Sequence, residues 1–205
     1  MNIETIKFKI DKSPARHFIN KTREVAVMLP LIETAGGLCL IFEKRSANVA
    51  QPGDISFPGG HVEYGESYET AAIRETLEEL CLDRDNIELL GKFSNLFTYF
   101  GTFAKVYICS ITGKNFNDIE PDAGEVSRLH AVPLDKLLAA EPLIRKDKLF
   151  VDRDASFPYE LIENGRDYRF HSAFEYSIFY NLDDIVIWGF TAKILKAFLD
   201  YLKED

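Results

Sequence analysis

The sequence predicts an α/β fold, a single domain in which helices cover both faces of a mixed β-sheet to make an α/β/α sandwich. Three observations carry that prediction. Apolar runs bounded by turn residues recur at 24–32, 38–43, 86–93 and 103–111, and read as strands. Two stretches, 67–80 and 189–203, lack proline and internal glycine and repeat apolar side chains at helical spacing. The chain has 205 residues, 46% of them hydrophobic, which is enough for one well-filled core and too little for two.

Taken in order, residues 1–22 are polar and mixed in charge and are expected to form an N-terminal arm, irregular or partly helical, ahead of a domain spanning 23–205. Residues 24–32 predict a strand in which Pro30, with no N–H to donate, marks an edge or a bulge. A turn at 34–37 leads into the strand 38–43, and 46–56 form an exposed loop rich in Asn, Pro and Gly. In the helix 67–80, Ile73, Leu77 and Leu80 make an apolar stripe, with Glu75, Glu78 and Glu79 projecting from the opposite side. Strands at 86–93 and 103–111 precede a polar loop at 113–124, a strand at 125–132 and a short helix at 134–140. Residues 141–170 predict strands or loops broken by Pro142 and Pro158. A short strand at 185–188, with Trp188 in the core, leads into a helix at 189–203 whose stripe is Leu195, Phe198 and Leu202.

Composition narrows the function. With 24 Lys plus Arg against 33 Asp plus Glu, the net charge is −9, and no basic run offsets it, which argues against a nucleic-acid partner. No apolar run approaches ~18 residues and 1–22 lack a secretory core, so a cytoplasmic protein with no membrane partner is expected. Cys39, Cys81 and Cys109 lie far apart, are odd in number and form no Cys-x-x-Cys pair, so buried reduced thiols are expected and a zinc site is not.

The charged side of helix 67–80 is the strongest signal. Like charges at i, i+4 cost a helix a few tenths of a kcal/mol. Glu78 and Glu79 also sit near its C-terminus, where the macrodipole disfavours anions by about 0.3–1 kcal/mol each. Arg74, four residues before Glu78, offsets only part of this. A hard divalent ion with oxygen ligands turns the repulsion into binding, and Mg²⁺ suits a site that also holds phosphates. Read alone, a Glu-Glu pair at a helix end is a solvated acidic face. Here it follows Phe57-Pro58-Gly59-Gly60, a loop whose glycines let backbone approach a ligand.

Gly60, Glu66, Arg74, Glu75, Glu78, Glu79 and Leu82 fall in register on a motif that resembles the Nudix box. Thr76 replaces an aliphatic residue of that motif, and Cys81 replaces the glycine that ends the helix in a left-handed turn, so that turn is expected to be built differently or to carry strain. The resemblance implies a Nudix-type α/β/α sandwich and metal-dependent hydrolysis of nucleoside diphosphates linked to another moiety. Carried over by position, Glu75 and Glu79 would be principal Mg²⁺ or Mn²⁺ ligands, Glu78 a further ligand directly or through water, and the Gly59 carbonyl could complete the site. Arg74 would orient the cluster, with Glu66 as its structural partner.

The preceding segment, Arg45-Ser46 through Gly53 to Phe57-Pro58-Gly59-Gly60, is similar to the extended motif of coenzyme A pyrophosphatases. That subfamily's second arginine falls near Ala50, with the spacing one residue short. The stretches 124–138 and 187–195 are similar to the same subfamily. The resemblance implies cleavage of coenzyme A or its thioesters into 4′-phosphopantetheine, or its acyl form, and adenosine 3′,5′-bisphosphate, with Arg45, Ser46, Phe57 and Gly60 contacting substrate. Two alternatives stand beside it: hydrolysis of ADP-ribose or another nucleoside diphosphate derivative, and a Nudix-fold module that binds a nucleotide without turnover. The partner is then a small nucleotide, and a homodimer is one assembly to test.

The base that takes the proton from water is open between Glu78 and the acids of one loop, Glu120, Asp122 and Glu125, of which Glu120 is placed like an off-box carboxylate of some Nudix pyrophosphohydrolases. His61 reads either as a phosphate contact or as a surface residue. Asn95, Phe97, Tyr99 and Phe100 read either as an adenine-stacking segment or as core and lid.

Overall fold

The computed structural model describes residues 2–12 and 22–204. Its elements run α1 (Ile3–Lys12), β1 (Arg23–Thr34), β2 (Gly37–Arg45), β3 (Ile55–Ser56), β4 (Gly59–His61) and α2 (Tyr68–Glu79). There follow β5 (Ile87–Phe97), β6 (Thr102–Ile111), β7 (Val126–Pro133), α3 (Leu134–Ala139), β8 (Leu143–Leu149), β9 (Ala173–Leu182), β10 (Ile185–Trp188) and α4 (Gly189–Lys203). Helix α1 falls within the expected arm, whose stretch 13–21 lies outside the described residues.

Strands β1 to β7 form one mixed sheet in which β1 runs parallel to β6 and the other pairings are antiparallel. Strand β1 is interior, which corrects the expectation that Pro30 marks an edge. On the side away from β6 it pairs first with β4, up to Val27↔Gly59, and then with β2, from Leu31↔Leu40. The Met28 N–H donates to the Pro58 carbonyl at 2.9 Å on that side. Alternation points Pro30 the same way, so its missing N–H falls in the gap where the ladder changes partner.

The two faces of β1 and β2 feed two cores. Leu29, Leu31, Leu40 and Phe42 pack with Leu195, Phe198 and Leu199 of α4 and with Tyr180 and Ile187 of the small antiparallel sheet β8–β9–β10. Ala26, Met28, Cys39 and Ile41 face the other way, onto Ala71, Ala72 and Leu80 of the α2 segment. Side chains alternate along a strand, so each face receives every second residue. The expected layering of helices on both faces of a mixed sheet is what forms.

Several local expectations shift. In α2 the most buried side chains are Ala71, Ala72, Thr76 and Glu79, while Ile73 and Leu77 are only half-buried. The helix is turned so that its small residues meet the sheet, and this carries Glu79 inward. In α4, Leu202 is 42% exposed, and Leu199 continues the buried stripe of Leu195 and Phe198. Trp188 is 44% exposed rather than core; it stacks on Phe179 and donates from Nε1 to Asp54 Oδ1 at 3.3 Å. Cys39 and Cys109 are buried free thiols, and burial pushes Cys109 up to about 12, but Cys81 is exposed. Among the described residues, no helix is long and apolar enough to cross a membrane.

Candidate active site

The site is built where α2 meets β4, and both ends of the helix are fixed by local chemistry. Ser67 caps the start, its Oγ accepting from the Thr70 N–H at 3.1 Å. At the other end the Leu82 N–H reaches the Leu77 carbonyl at 3.0 Å, and the Cys81 N–H reaches that of Glu78 at 3.4 Å. This is a Schellman turn, with Cys81 at φ +49° in the left-handed position. The turn is therefore built as a glycine would build it, with a cysteine carrying a conformational cost of about 1–2 kcal/mol.

Two glycines bring β4 against the helix carboxylates. Gly59 has φ +149°, and a Cβ there would lie 2.3 Å from the Ala26 carbonyl oxygen of β1. A Cβ on Gly60 would lie 2.4 Å from the carboxyl carbon of Glu75. Between them, the Gly59 N–H donates to Glu79 Oε2 at 2.8 Å.

Arg74 organises the outer side of the cluster. Its Nε and Nη2 hold Glu66 through both carboxylate oxygens at 3.0 and 3.1 Å, and Nη2 also donates to the His61 carbonyl at 3.0 Å. Its Nη1 reaches Glu75 Oε1 at 2.9 Å and Glu78 Oε2 at 3.1 Å. These are charge-assisted bonds. They hold the Glu66 carboxyl below its usual range and raise Arg74 above its own. Among the described residues, no three His, Cys, Asp or Glu side chains converge as a ready-made metal cage, and Glu75 and Glu78 share one guanidinium.

On the inner side, carboxylates outnumber the positive groups that oppose them. Glu79 is 4% exposed; burial pushes its carboxyl up to about 8, the Gly59 N–H opposes that, and the charges of Glu75 and Glu125 add to it. Burial also raises Glu75, against the pull of Arg74. A third inward carboxylate, Glu43 of β2, is 1% exposed and is raised well above the ordinary carboxylate range by burial first and by Glu79 second. Its Oε1 has no hydrogen-bond partner. Reading the sequence as strands and motifs missed Glu43. The available signal was its place in the inward row of Cys39, Ile41 and Glu43. Oxygen donors, negative charge in excess and an idle buried carboxylate oxygen all fit a hard divalent cation.

The loop between β2 and β3 is held by Arg45. Its Nε donates to the Ala50 carbonyl at 2.7 Å, its N–H to that of Asp54 at 2.9 Å, and its carbonyl accepts from the Gly53 N–H at 3.0 Å. The carbonyl of Ala50, where a second arginine was expected, thus serves the first. Arg45 also lowers Glu43 and Glu79 through its charge. Ser46 is buried, its Oγ donating to the Gly124 carbonyl at 2.7 Å and accepting from the Asn48 N–H at 3.1 Å. Phe57 is buried on the α4 face, stacked on Phe42 at 4.7 Å. Both side chains are thus turned into the protein, Ser46 onto the Gly124 carbonyl and Phe57 into the α4-side core.

Of the three loop acids, Glu125 is the one whose charge bears on Glu43, Glu75 and Glu79. Glu120 is exposed in the same loop. Asp122 ties that loop to the end of α2 through its N–H to the Glu79 carbonyl at 3.0 Å. His61, Phe97, Tyr99 and Phe100 are exposed, so the aromatic segment is not core. An open groove of about 450 Å³ runs along the outer face of α2 past Arg74 and Glu78 to Arg84.

Comparison with known proteins bears on this geometry. The family model for the NUDIX domain matches residues 22–153. The chain is 30% identical over 196 residues to a probable nudix hydrolase of Schizosaccharomyces pombe, covering 90% of this chain and 58% of that protein, so it spans less than two-thirds of this relative's length. It is 29% identical over 198 residues to the peroxisomal coenzyme A diphosphatase NUDT7 of Mus musculus, covering 94% and 76% respectively. A MutT/nudix family protein from Enterococcus faecalis superposes with a TM-score of 0.50 at 16% identity, over 100% of this chain and 71% of that one, a likeness of fold alone.

Proposed function

The chain belongs to the Nudix family of hydrolases, and we propose that it cleaves the diphosphate bond of coenzyme A or an acyl-coenzyme A with the help of Mg²⁺ or Mn²⁺. The observation that carries this reading is the pressing of Glu79 against Gly59 and of Glu75 against Gly60, Glu79 buried and Glu75 half-buried, with more negative than positive charge around them. Coenzyme A is favoured by the run Arg45-Ser46, Gly53, Phe57-Pro58-Gly59-Gly60 and by the similarity to a protein named as a coenzyme A diphosphatase. Free thiols at Cys39, Cys81 and Cys109 suit the reducing cytoplasm, where we place the reaction.

In this reading Glu75 and Glu79 would hold the cation, Glu78 would add a ligand directly or through water, and the Gly59 carbonyl would complete the site. A bound divalent cation would neutralise the phosphoryl oxygens and activate water. Arg74, braced by Glu66, sets the directions of Glu75 and Glu78. Glu78, exposed at the rim, accepts the proton of the attacking water, and Glu120 is the loop carboxylate to compare with it. The water oxygen bonds to phosphorus as the bridging P–O bond breaks, leaving a phosphate monoester on each product. Arg45 brings positive charge to the loop beside the cluster, and Gly60 keeps the space before Glu75 clear of a side chain.

A side-by-side assay of coenzyme A, dephospho-coenzyme A and ADP-ribose with Mg²⁺ or Mn²⁺ tests the substrate. The reading expects coenzyme A to be turned over fastest, releasing 4′-phosphopantetheine and adenosine 3′,5′-bisphosphate. Faster cleavage of ADP-ribose, or tight binding of all three without product, overturns it.

A further inference from the structure

Strand β2 presents Cys39, Ile41 and Glu43 toward α2, and the first two pack in the core beneath that helix. The third position of the row carries a carboxylate where an apolar side chain would continue the pattern. Its register partner on β3 is Ser56, and antiparallel partners share a face. Glu43 Oε1 and Ser56 Oγ are both buried without a hydrogen-bond partner; among the described residues only His130 Nε2 is in the same condition. Two idle polar atoms on register partners of one ladder leave a demand for a polar partner that the protein itself does not meet. Of the charged groups around Glu43, Glu79, Glu125 and Glu75 are carboxylates and Arg45 alone is cationic, so a cation suits that position better than an anion.

We propose that Glu43 is a further ligand of the divalent-cation site, approaching from the sheet opposite Glu79, with the Ser56 hydroxyl beside it. This inference rests on the reading of the Glu75–Glu79 cluster as a divalent-cation site. A buried carboxylate with an unpaired oxygen and like-charged neighbours is costly, and sharing a cation with Glu79 removes both penalties. Glu43 thereby couples β2 to α2 through the bound ion as well as through the apolar core.

The test is Mn²⁺ affinity by calorimetry on the full chain without substrate, together with the rise in melting temperature that Mn²⁺ produces. Wild type, Glu43→Gln, Glu43→Asp and Glu79→Gln are compared. Glu43→Gln is expected to bind Mn²⁺ about tenfold or more weakly and to lose most of the Mn²⁺-induced shift, while Glu43→Asp, which keeps the charge but shortens the reach, falls between. Wild-type affinity in Glu43→Gln alongside a loss in Glu79→Gln overturns the inference and leaves the cation site standing. Wild-type affinity in both overturns the cation site itself. Should Glu43→Gln fail to fold, unchanged Mn²⁺ affinity in Glu43→Asp is the overturning result.

Discussion

Gly59 and Gly60 are adjacent, yet their side-chain hydrogens face different neighbours, and the two should respond differently to the same substitution. At Gly60 the added Cβ meets the end of the Glu75 side chain, which can swing aside, so Gly60→Ala should keep the fold and displace a carboxylate from the site. At Gly59 it meets backbone, in a conformation that L-residues rarely adopt, so Gly59→Ala should lose about 2 kcal/mol or more of stability. Thermal melts and turnover measured on both variants check this: Gly60→Ala is expected to melt near wild type with activity reduced on the order of tenfold or more. The residues of this site differ in how far the sequence exposes them. The Arg74–Glu78 pair follows from i, i+4 spacing and the Arg74–Glu66 pair from the resemblance to the box, whereas the bond to Glu75, the next residue in the chain, follows from neither. The burial of Glu79 does not follow either, because an apolar stripe counted through Ile73, Leu77 and Leu80 ignores small residues, and Ala71, Ala72 and Thr76 set the helix's contact face. Glu43 stays hidden for a related reason, since a lone glutamate in an apolar strand declares its orientation only once the register is known.

Helix α2 shows how an element absorbs departures from its expected pattern. Thr76 is fully buried, and its hydroxyl donates back to the Ala72 carbonyl at 2.7 Å, so a polar atom enters the core already satisfied. Cys81 keeps the left-handed turn at a cost in backbone strain. Cys81→Gly relieves that strain but adds freedom to the unfolded chain, so a net gain of about 0.5–1 kcal/mol is expected, read as a higher melting temperature. A lower melting temperature would mean that the Cys81 side chain contributes more than its strain costs. Elsewhere, legibility followed length and periodicity. The bounds of α4 were readable because its pattern runs for fifteen residues, whereas β3 and β4 are too short for any period to register. Strand β9 sets Phe174, Tyr176, Ile178, Tyr180 and Leu182 against Glu175, Ser177 and Asn181, a period-2 alternation present in the sequence that the expected strands leave out. Pro30 suggested an edge because the sequence does not reveal that one strand can serve two partners in succession.

At the scale of the molecule, one face of the main sheet stores stability and the other carries chemistry. The α4 face is closed by apolar side chains and by the small sheet, with Phe57 anchoring the glycine loop from that side. On the α2 face the apolar core gives way at its border to Glu43, Glu75 and Glu79. The Asp122 N–H to the Glu79 carbonyl and the Ser46 bonds to Gly124 and Glu125 lock the surrounding loops to that border. On the proposed function, this border becomes a working site only around a divalent cation. Release of 4′-phosphopantetheine from coenzyme A, by wild type and by Glu79→Gln, with Mg²⁺ and after chelation, tests it most directly. Product is expected from wild type only when the cation is present, with a loss on the order of 100-fold or more in a normally folded Glu79→Gln. Hydrolysis that survives chelation, or a Glu79→Gln variant that turns over like wild type, would contradict it.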